Sequence, residues 1–485
     1  MGLLGILLGL GLLVWFAYRG WSVLLLAPAA ALIAAAFSHE PLLAHLTQTF
    51  MGGTASFLAQ FFPIFLLGAV FGRLMDDSGS VSAIARFMTE KMGTRYTILA
   101  VVLAGALVTY GGVSLFVAFF VLAPMAESLF RAAAIPRRLM AATIALGTST
   151  FTMSALPGTP SIQNAIPMPF FGTTTFAAPG IGLIAAVIML GFGLWWLSLA
   201  EAAARRKGEA FGSGALTAPR EVADDQPLRE RASLASAFDT AELPHGHRGD
   251  TEPPILLAAL PLAIVIGVNF LMSIVVLPHL DTSYLAEERF GTTSLSAVGG
   301  VWAVVVALAA AILTLILTQW NRLASLRESM DAGANASVLP ALSVASLVGF
   351  GAVVAALPAF AMVRDFVLTL GGDNPLISLA AAANLLAALT GSASGGLTIA
   401  LDALGETYMQ LAADIGLDPA LMHRVAVIGA GTLDSLPHNG AVVTLLAVCG
   451  TTHRESYFDI FMVAVVGAVI ALAVTILLGT AFGSF

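Results

Sequence analysis

Two polar interruptions inside long apolar stretches hold the residues best equipped for chemistry. The first runs Gly147-Thr-Ser-Thr-Phe-Thr-Met-Ser-Ala-Leu-Pro-Gly-Thr-Pro-Ser-Ile-Gln-Asn164. The hydroxyls of Thr148, Thr152, Ser154, Thr159 and Ser161 and the amides of Gln163 and Asn164 offer donors and acceptors suited to a polar organic acid. The second runs Gly429-Ala-Gly-Thr-Leu-Asp-Ser-Leu-Pro-His-Asn-Gly440 and places a carboxylate, Asp434, and an imidazole, His438, within one turn of chain beside Asn439. Ionisable groups at membrane depth are costly, so they default to a functional reading. His438, titrating near neutrality, would gain positive charge as an anion arrives, and Asp434 would accept a proton or help hold a cation. The plainer alternatives are that Asp434 caps a half-helix, that His438 is a neutral donor, and that each hydroxyl bonds back to its own helix.

Backbone chemistry at the same places points the same way. Pro157 and Pro160 flank Gly158 and remove backbone donors, so no continuous helix passes through the first break. Backbone freed at membrane depth must be satisfied by protein, water or ligand, which implies a cavity. Half-helix N-termini at such breaks present N–H groups and the positive ends of their dipoles to an anion. Two further apolar segments, 97–131 and 375–416, are cut by Thr109-Tyr110-Gly111-Gly112-Val113-Ser114 and by Thr390-Gly391-Ser392-Ala393-Ser394-Gly395-Gly396. Their glycines allow a tight reversal and their flanks are short, so both read as re-entrant hairpins. Asn384 and Asp402 flank the second tip.

The elements that must position these residues are membrane spans. Of 485 residues, 58% are hydrophobic and 10% charged, against about 25% charged in soluble domains, and this excludes a soluble enzyme, a nucleic-acid binder and a secreted disulfide scaffold. The lone Cys449 lies in an apolar stretch and reads as a small buried hydrophobe. Spans are predicted at 2–18, 22–37, 54–72, 138–171 (broken), 180–199, 254–278, 297–318, 338–360, 423–449 (broken) and 459–481. The first is retained rather than a signal peptide, because its first basic residue, Arg19, follows the apolar run. Residues 201–252 carry 17 of the chain's 50 charges and read as a cytoplasmic flexible linker between membrane halves 1–200 and 253–485. Val81 to Met92 reads as an amphipathic interfacial helix, with Asp76 and Asp77 facing water at a helix end. With both termini outside, 18 of the 21 Lys and Arg residues fall inside, and Arg289, Arg364 and Arg424 fall outside or at an outer edge.

Sliding the chain by 280 residues aligns Gly53 with Gly333, Gly111 with Gly391, Leu156 with Leu436 and Pro157 with Pro437. Each half holds five spans and one hairpin, and an odd span number turns the second half over. The fold class is therefore an all-α polytopic membrane protein of two inverted-topology repeats, each with a broken helix. Such repeats characterise secondary transporters, whose sites lie at the repeat interface. No Gly-x-x-x-x-Gly-Lys-Ser/Thr, His-Glu-x-x-His or nucleophile-elbow pattern appears, against an ATP-driven pump or a hydrolase.

At Gly53-Thr54 to Gly79, Pro157-Gly158-Thr159-Pro160, Gly391-Ser392-Ala393 and Gly429 to Asn439 the sequence resembles the gluconate permease family of proton symporters, within the larger ion-transporter superfamily. The resemblance covers most of both halves. It implies secondary uptake of small organic acids through hairpins and broken helices in a mobile transport domain carried against a scaffold. It also implies a homodimer through the first two helices of each half and a bacterial-type inner membrane. Sugar-acid members carry a more proline-rich first break with a histidine, and a Ser-His-Val-Asn-Asp-Pro second break. Here Asp434-Ser435-Leu436-Pro437-His438-Asn439 stands in that place, a variant more like members associated with short hydroxy acids such as 3-hydroxybutyrate.

The expectation is a proton-coupled symporter for a small organic anion, not an enzyme, with no cofactor beyond its coupling ion. Gly111, Gly112, Ser114, Thr152, Ser154, Gly158, Thr159, Ser161, Gln163, Asn164, Gly391, Ser392, Ser394 and Asn439 would bind substrate, and Asp434 and His438 would couple ions. Sodium coupling is the alternative, since unwound carbonyls can coordinate Na⁺. An intramembrane enzyme using Asp434 and His438 as base and acid, or a passive channel, would explain the repeat less well. Among partners only the substrate anion, lipid and a second copy are expected, and no metal or nucleic acid.

Overall fold

The computed structural model describes residues 1–17, 21–93, 96–113, 115–211, 252–372, 374–437 and 439–485. It is an all-α polytopic membrane protein, with no β-strand among the described residues. In chain order the helices are α1 (Gly2–Ala17), α2 (Val23–Phe37), α3 (Leu42–Asp77), α4 (Ser80–Met92), α5 (Thr97–Tyr110), α6 (Leu115–Ala132) and α7 (Arg138–Thr148). Three short pieces follow across the first break, α8 (Phe151–Ser154), α9 (Ile162–Ala165) and α10 (Pro167–Phe171), and then α11 (Pro179–Arg206). The second half comprises α12 (Ile255–His279), α13 (Leu295–Gln319), α14 (Leu326–Ala356), α15 (Phe360–Thr369), α16 (Pro375–Thr390), α17 (Ala393–Ile415), α18 (Pro419–Ala430), α19 (Gly440–Val448) and α20 (His453–Phe482).

Local sequence explains the ends of these helices. Pro179 opens α11 at its first turn, and Arg205 and Arg206 close it against the negative end of the dipole. This helix continues past the expected boundary at residue 200, and the expected linker falls largely at 212–251, outside the described residues. Asp418 and Ser392 accept the first-turn N–H groups of Ala420 and Gly395, and Gly391 at φ +64° ends α16 in the left-handed conformation that glycine adopts freely.

An offset of 280 residues carries α3–α11 onto α14–α20 nearly element for element, breaks included. At the centre, α3 packs antiparallel on α14. A Cβ on Gly53 would lie 2.8 Å from Ala352 Cβ and 3.4 Å from Gly349 Cα, and one on Gly333 would lie 2.7 Å from Val70 Cα and 3.2 Å from the Ala69 carbonyl. The pairs 53/349 and 333/69 exchange under the same offset, the self-complementary pattern of a two-fold contact. Small residues let the two backbones meet where no hydrophobic gain is available between helices in lipid.

Polar contacts sort into two ends. At one end Ser329 donates to Asp77 (2.6 Å), Ser80 to Gln319 (3.0 Å), and Arg138 to both Glu209 (3.0 Å) and Asp459 (2.7 Å), while Arg86 pairs with Glu252. At the other, Gly180 N–H donates to the Phe485 carbonyl (2.7 Å), Asn374 to Thr480 (2.8 Å), and Ser484 bonds Asp418. Asp77 does not face water: it is buried in an ion pair with Arg73 (2.9 Å), because α14 covers that end of α3.

Candidate functional site

Both hairpin tips and both helix breaks line one central cavity. Its larger chamber, about 90 Å³, is walled by Thr109, Gly112 and Val113 of the first tip, Pro160, Ser161 and Gln163 of the first break, Gly391 to Ser394 of the second tip, and Asp434 and Asn439 of the second break. Ile64 and Gly68 of α3 close one side. A smaller chamber of about 30 Å³ adjoins it, bounded by Ser149, Ser154, Gly431 and Ser435, and shares Gln163, Asp434 and Asn439 with the first.

Each wall has its own fastening. The first tip is held by Tyr110, whose hydroxyl donates to the Pro157 carbonyl (2.7 Å), and by Thr109, which donates to Thr152 Oγ1 (3.2 Å). Gly112, at φ +96°, leaves space that a Cβ would take from Pro160 at 2.8 Å. Asn439 fastens the second tip: its amide nitrogen donates to the Gly391 carbonyl (2.8 Å) while its oxygen accepts the Ala441 (2.6 Å) and Val442 (3.4 Å) N–H groups that open α19. Hence Asn439, and not Asp434, caps the second half-helix. Asp434 accepts from Ser435 Oγ (3.1 Å) and is the one carboxylate among the described residues that line either chamber. The Gln163 side chain faces the same space.

Of the residues expected to bind substrate, Gly112, Ser154, Ser161, Gln163, Gly391, Ser392, Ser394 and Asn439 line the chambers together with Asp434. Five others do not line either chamber. Gly111 sits under Leu262, whose Cδ2 a Cβ would meet at 2.2 Å. Thr152 is buried and bonds the Gly147 and Thr148 carbonyls (both 3.2 Å), and Thr159 is fully buried. Gly158, at φ +83°, closes a loop by donating to the Thr175 carbonyl (2.9 Å). Asn164, also fully buried, donates to the Thr159 and Thr175 carbonyls (both 3.0 Å). Ser114 and His438 lie outside the described residues. Asn384 donates to the Ala380 carbonyl of its own helix (2.8 Å), and Asp402 is exposed at the protein surface.

Three residues escaped sequence reasoning. Arg424, taken there as an outer-edge charge, is fully buried on α18, as is His423 beside it. His423 Nε2 lies 3.1 Å from Asn164 Oδ1, and its Nδ1 2.6 Å from Thr173 Oγ1. Because both Asn164 amide hydrogens go to carbonyls, its oxygen must accept, so His423 donates from Nε2. Asn269 of α12 reaches the Gly158 carbonyl (3.1 Å) and Thr175 Oγ1 (2.9 Å). The signal for Arg424 was its own exception to the charge-sidedness pattern.

A chamber lined by two glycine-rich helix–helix turns and two helix breaks, within a bundle of helices long and apolar enough to cross a membrane, fits a membrane permease. The profile described as GntP family permease matches residues 1–195. The uncharacterized transporter YxjC of Bacillus subtilis (strain 168) is 40% identical over 98% of each chain. The high-affinity gluconate transporter of Escherichia coli (strain K12) is 32% identical over 124 residues, 25% of this chain and 27% of that one. Among solved structures, the Alcanivorax borkumensis YdaH transporter, described as having an unusual topology, shares the fold at a TM-score of 0.53 and 16% identity, covering 91% of this chain and 89% of that one. The chain belongs to the GntP permease family and is a transporter, not an enzyme.

Proposed function

We propose that this transporter takes up a small organic acid anion by proton symport across a bacterial inner membrane. The observation that carries the reading is the convergence of two hairpin tips and two helix breaks on one chamber holding a single carboxylate among its described lining residues. The first turns of the helices that begin at Leu115, Ala393 and Gly440 border that chamber and favour an anion, with Thr109, Ser161, Gln163, Ser392 and Ser394 as polar partners. Asp434 sits where the chambers join and would carry the coupling proton, neutralised as the anion binds and released after reorientation. Both helix–helix turns reach the same chamber, which supports reading both segments as re-entrant and the repeats as inverted.

The topology that puts residues 212–251 and the linker ends on the cytoplasmic side, and both termini outside, gains support from the buried arginines. Arg424 and Arg73 are internal and drop out of the sidedness count. Outside the linker, ten basic residues then remain on the inner side against two, Arg289 and Arg364. A homodimer fits the short α1–α2 pair, which packs on α14 away from the chamber.

The test is uptake of labelled 3-hydroxybutyrate by the full chain in proteoliposomes, with proton and sodium gradients imposed separately and unlabelled gluconate as competitor. Accumulation driven by an inward proton gradient is expected. Accumulation on sodium alone would overturn proton coupling in favour of a cation at Asp434, and absence of uptake would send the substrate assignment to other organic acids.

A further inference from the structure

Arg424 is the bulkiest of the fully buried side chains, and the residues it touches belong to the other half of the molecule. Its Nη1 donates to the Ser154 carbonyl and to Asn164 Oδ1 (both 3.3 Å), its Nη2 to the Thr175 (3.3 Å) and Ala177 (2.7 Å) carbonyls, and its Nε to the Ala177 carbonyl (3.1 Å). These acceptors lie within and after the first break. Unwinding there strips carbonyls of their helical donors, and a planar guanidinium with five N–H groups in a fixed fork replaces several at once. Gly182 on α11 makes the room: a Cβ there would stand 2.6 Å from the Ala155 carbonyl and 3.2 Å from Arg424 Nε. The clamped segment, residues 147–178, contains no Asp or Glu, so the guanidinium is held by dipoles and not by a counter-charge.

We propose that Arg424 is a positioning residue for transport, a clamp by which α18 of the second half sets the unwound backbone of the first break. Through Asn164 and Ser154 it fixes the placement of Gln163, Ser161 and Ser154 around the chamber, so that the two breaks reorient as one body. It has no carboxylate partner among these contacts. His423 serves the same assembly as a hydrogen-bond bridge between Thr173 and Asn164. This inference rests on the transport reading for its functional consequence, while its structural half stands without any substrate.

Two measurements on the full-length protein separate these halves. Amide hydrogen exchange in detergent, without ligand, is compared for wild type, Arg424→Gln and Gly182→Ser; the serine crowds the guanidinium without removing it. Exchange in residues 150–178, including the Gly158 amide bonded to Thr175, is expected to rise at least tenfold in both variants, with α1, α2 and α14 unchanged. Unchanged exchange at 150–178, or a uniform rise over the whole chain, would overturn the clamp. In proteoliposomes Arg424→Lys keeps the charge and loses the fork: Vmax is expected to fall at least tenfold with KM moving less than threefold, whereas Arg424→Gln raises KM as well. Equal effects of Lys and Gln on both parameters would overturn the positioning role. If wild type transports neither 3-hydroxybutyrate nor gluconate, the transport reading fails and the exchange result still decides the clamp.

Discussion

Replacing Asn439 by alanine removes three hydrogen bonds that lie at the meeting of the second tip and the second break. The Oδ1 cap on α19 is worth about 1 kcal/mol. Losing the 2.8 Å bond to the Gly391 carbonyl costs about another 1 kcal/mol, and roughly 1 kcal/mol more if that buried carbonyl finds no water. The total, about 2–3 kcal/mol, corresponds to a shift of roughly 30- to 150-fold between docked and undocked arrangements of the tip. Only a docked tip keeps Ser392 and Ser394 on the chamber, so apparent affinity falls with the docked fraction. Asn439→Ala is therefore expected to raise KM at least tenfold in proteoliposome uptake. Asn439→Asp retains the cap and loses the donor to Gly391, so its stability loss should be smaller and its KM should still rise. A KM within twofold of wild type in both variants would refute the claim that this amide docks the tip.

Asp434→Asn is expected to abolish accumulation driven by a proton gradient while substrate exchange at equal internal and external concentrations persists, read by labelled counterflow. Wild-type uptake should increase as external pH falls, and the Asn variant should show no such dependence. Asp77→Asn removes the carboxylate of a buried ion pair and the acceptor of Ser329, and is expected to lower the unfolding temperature in detergent. The double change Arg73→Met with Asp77→Leu should recover most of that loss; a double variant no more stable than the single one would contradict the assignment.

What could be read in advance was whatever leaves a periodic or compositional trace. Gly111 and Gly391, the Pro157–Pro160 break and the Asp434 loop announced hairpins and unwound helices because glycine, proline and charge are conspicuous inside apolar runs. The offset that paired Gly53 with Gly333 places the same two glycines at the helix crossing between α3 and α14. What stayed hidden depended on three-dimensional bookkeeping of backbone acceptors. Thr152 and Asn164 look like ligand groups from type and spacing, yet a break creates orphan carbonyls nearby, and the nearest amides and hydroxyls are consumed in satisfying them. For the same reason Arg424 and Asp77 looked like surface charges: each sits at the end of an apolar run, and only the packed neighbour across the repeat shows that the end is covered.

The central claim, that the anion binds where the two tips and two breaks meet, is tested most directly by substrate protection of a single cysteine at Gln163. This side chain lines both chambers, and the native Cys449 is fully buried and gives little background. The rate of alkylation of Gln163→Cys by a small maleimide would be followed with and without whichever of 3-hydroxybutyrate or gluconate the protein transports. The account predicts a slowing that saturates at the KM of that variant. An alkylation rate unaffected by substrate, in a variant whose uptake still saturates, would place the binding site elsewhere.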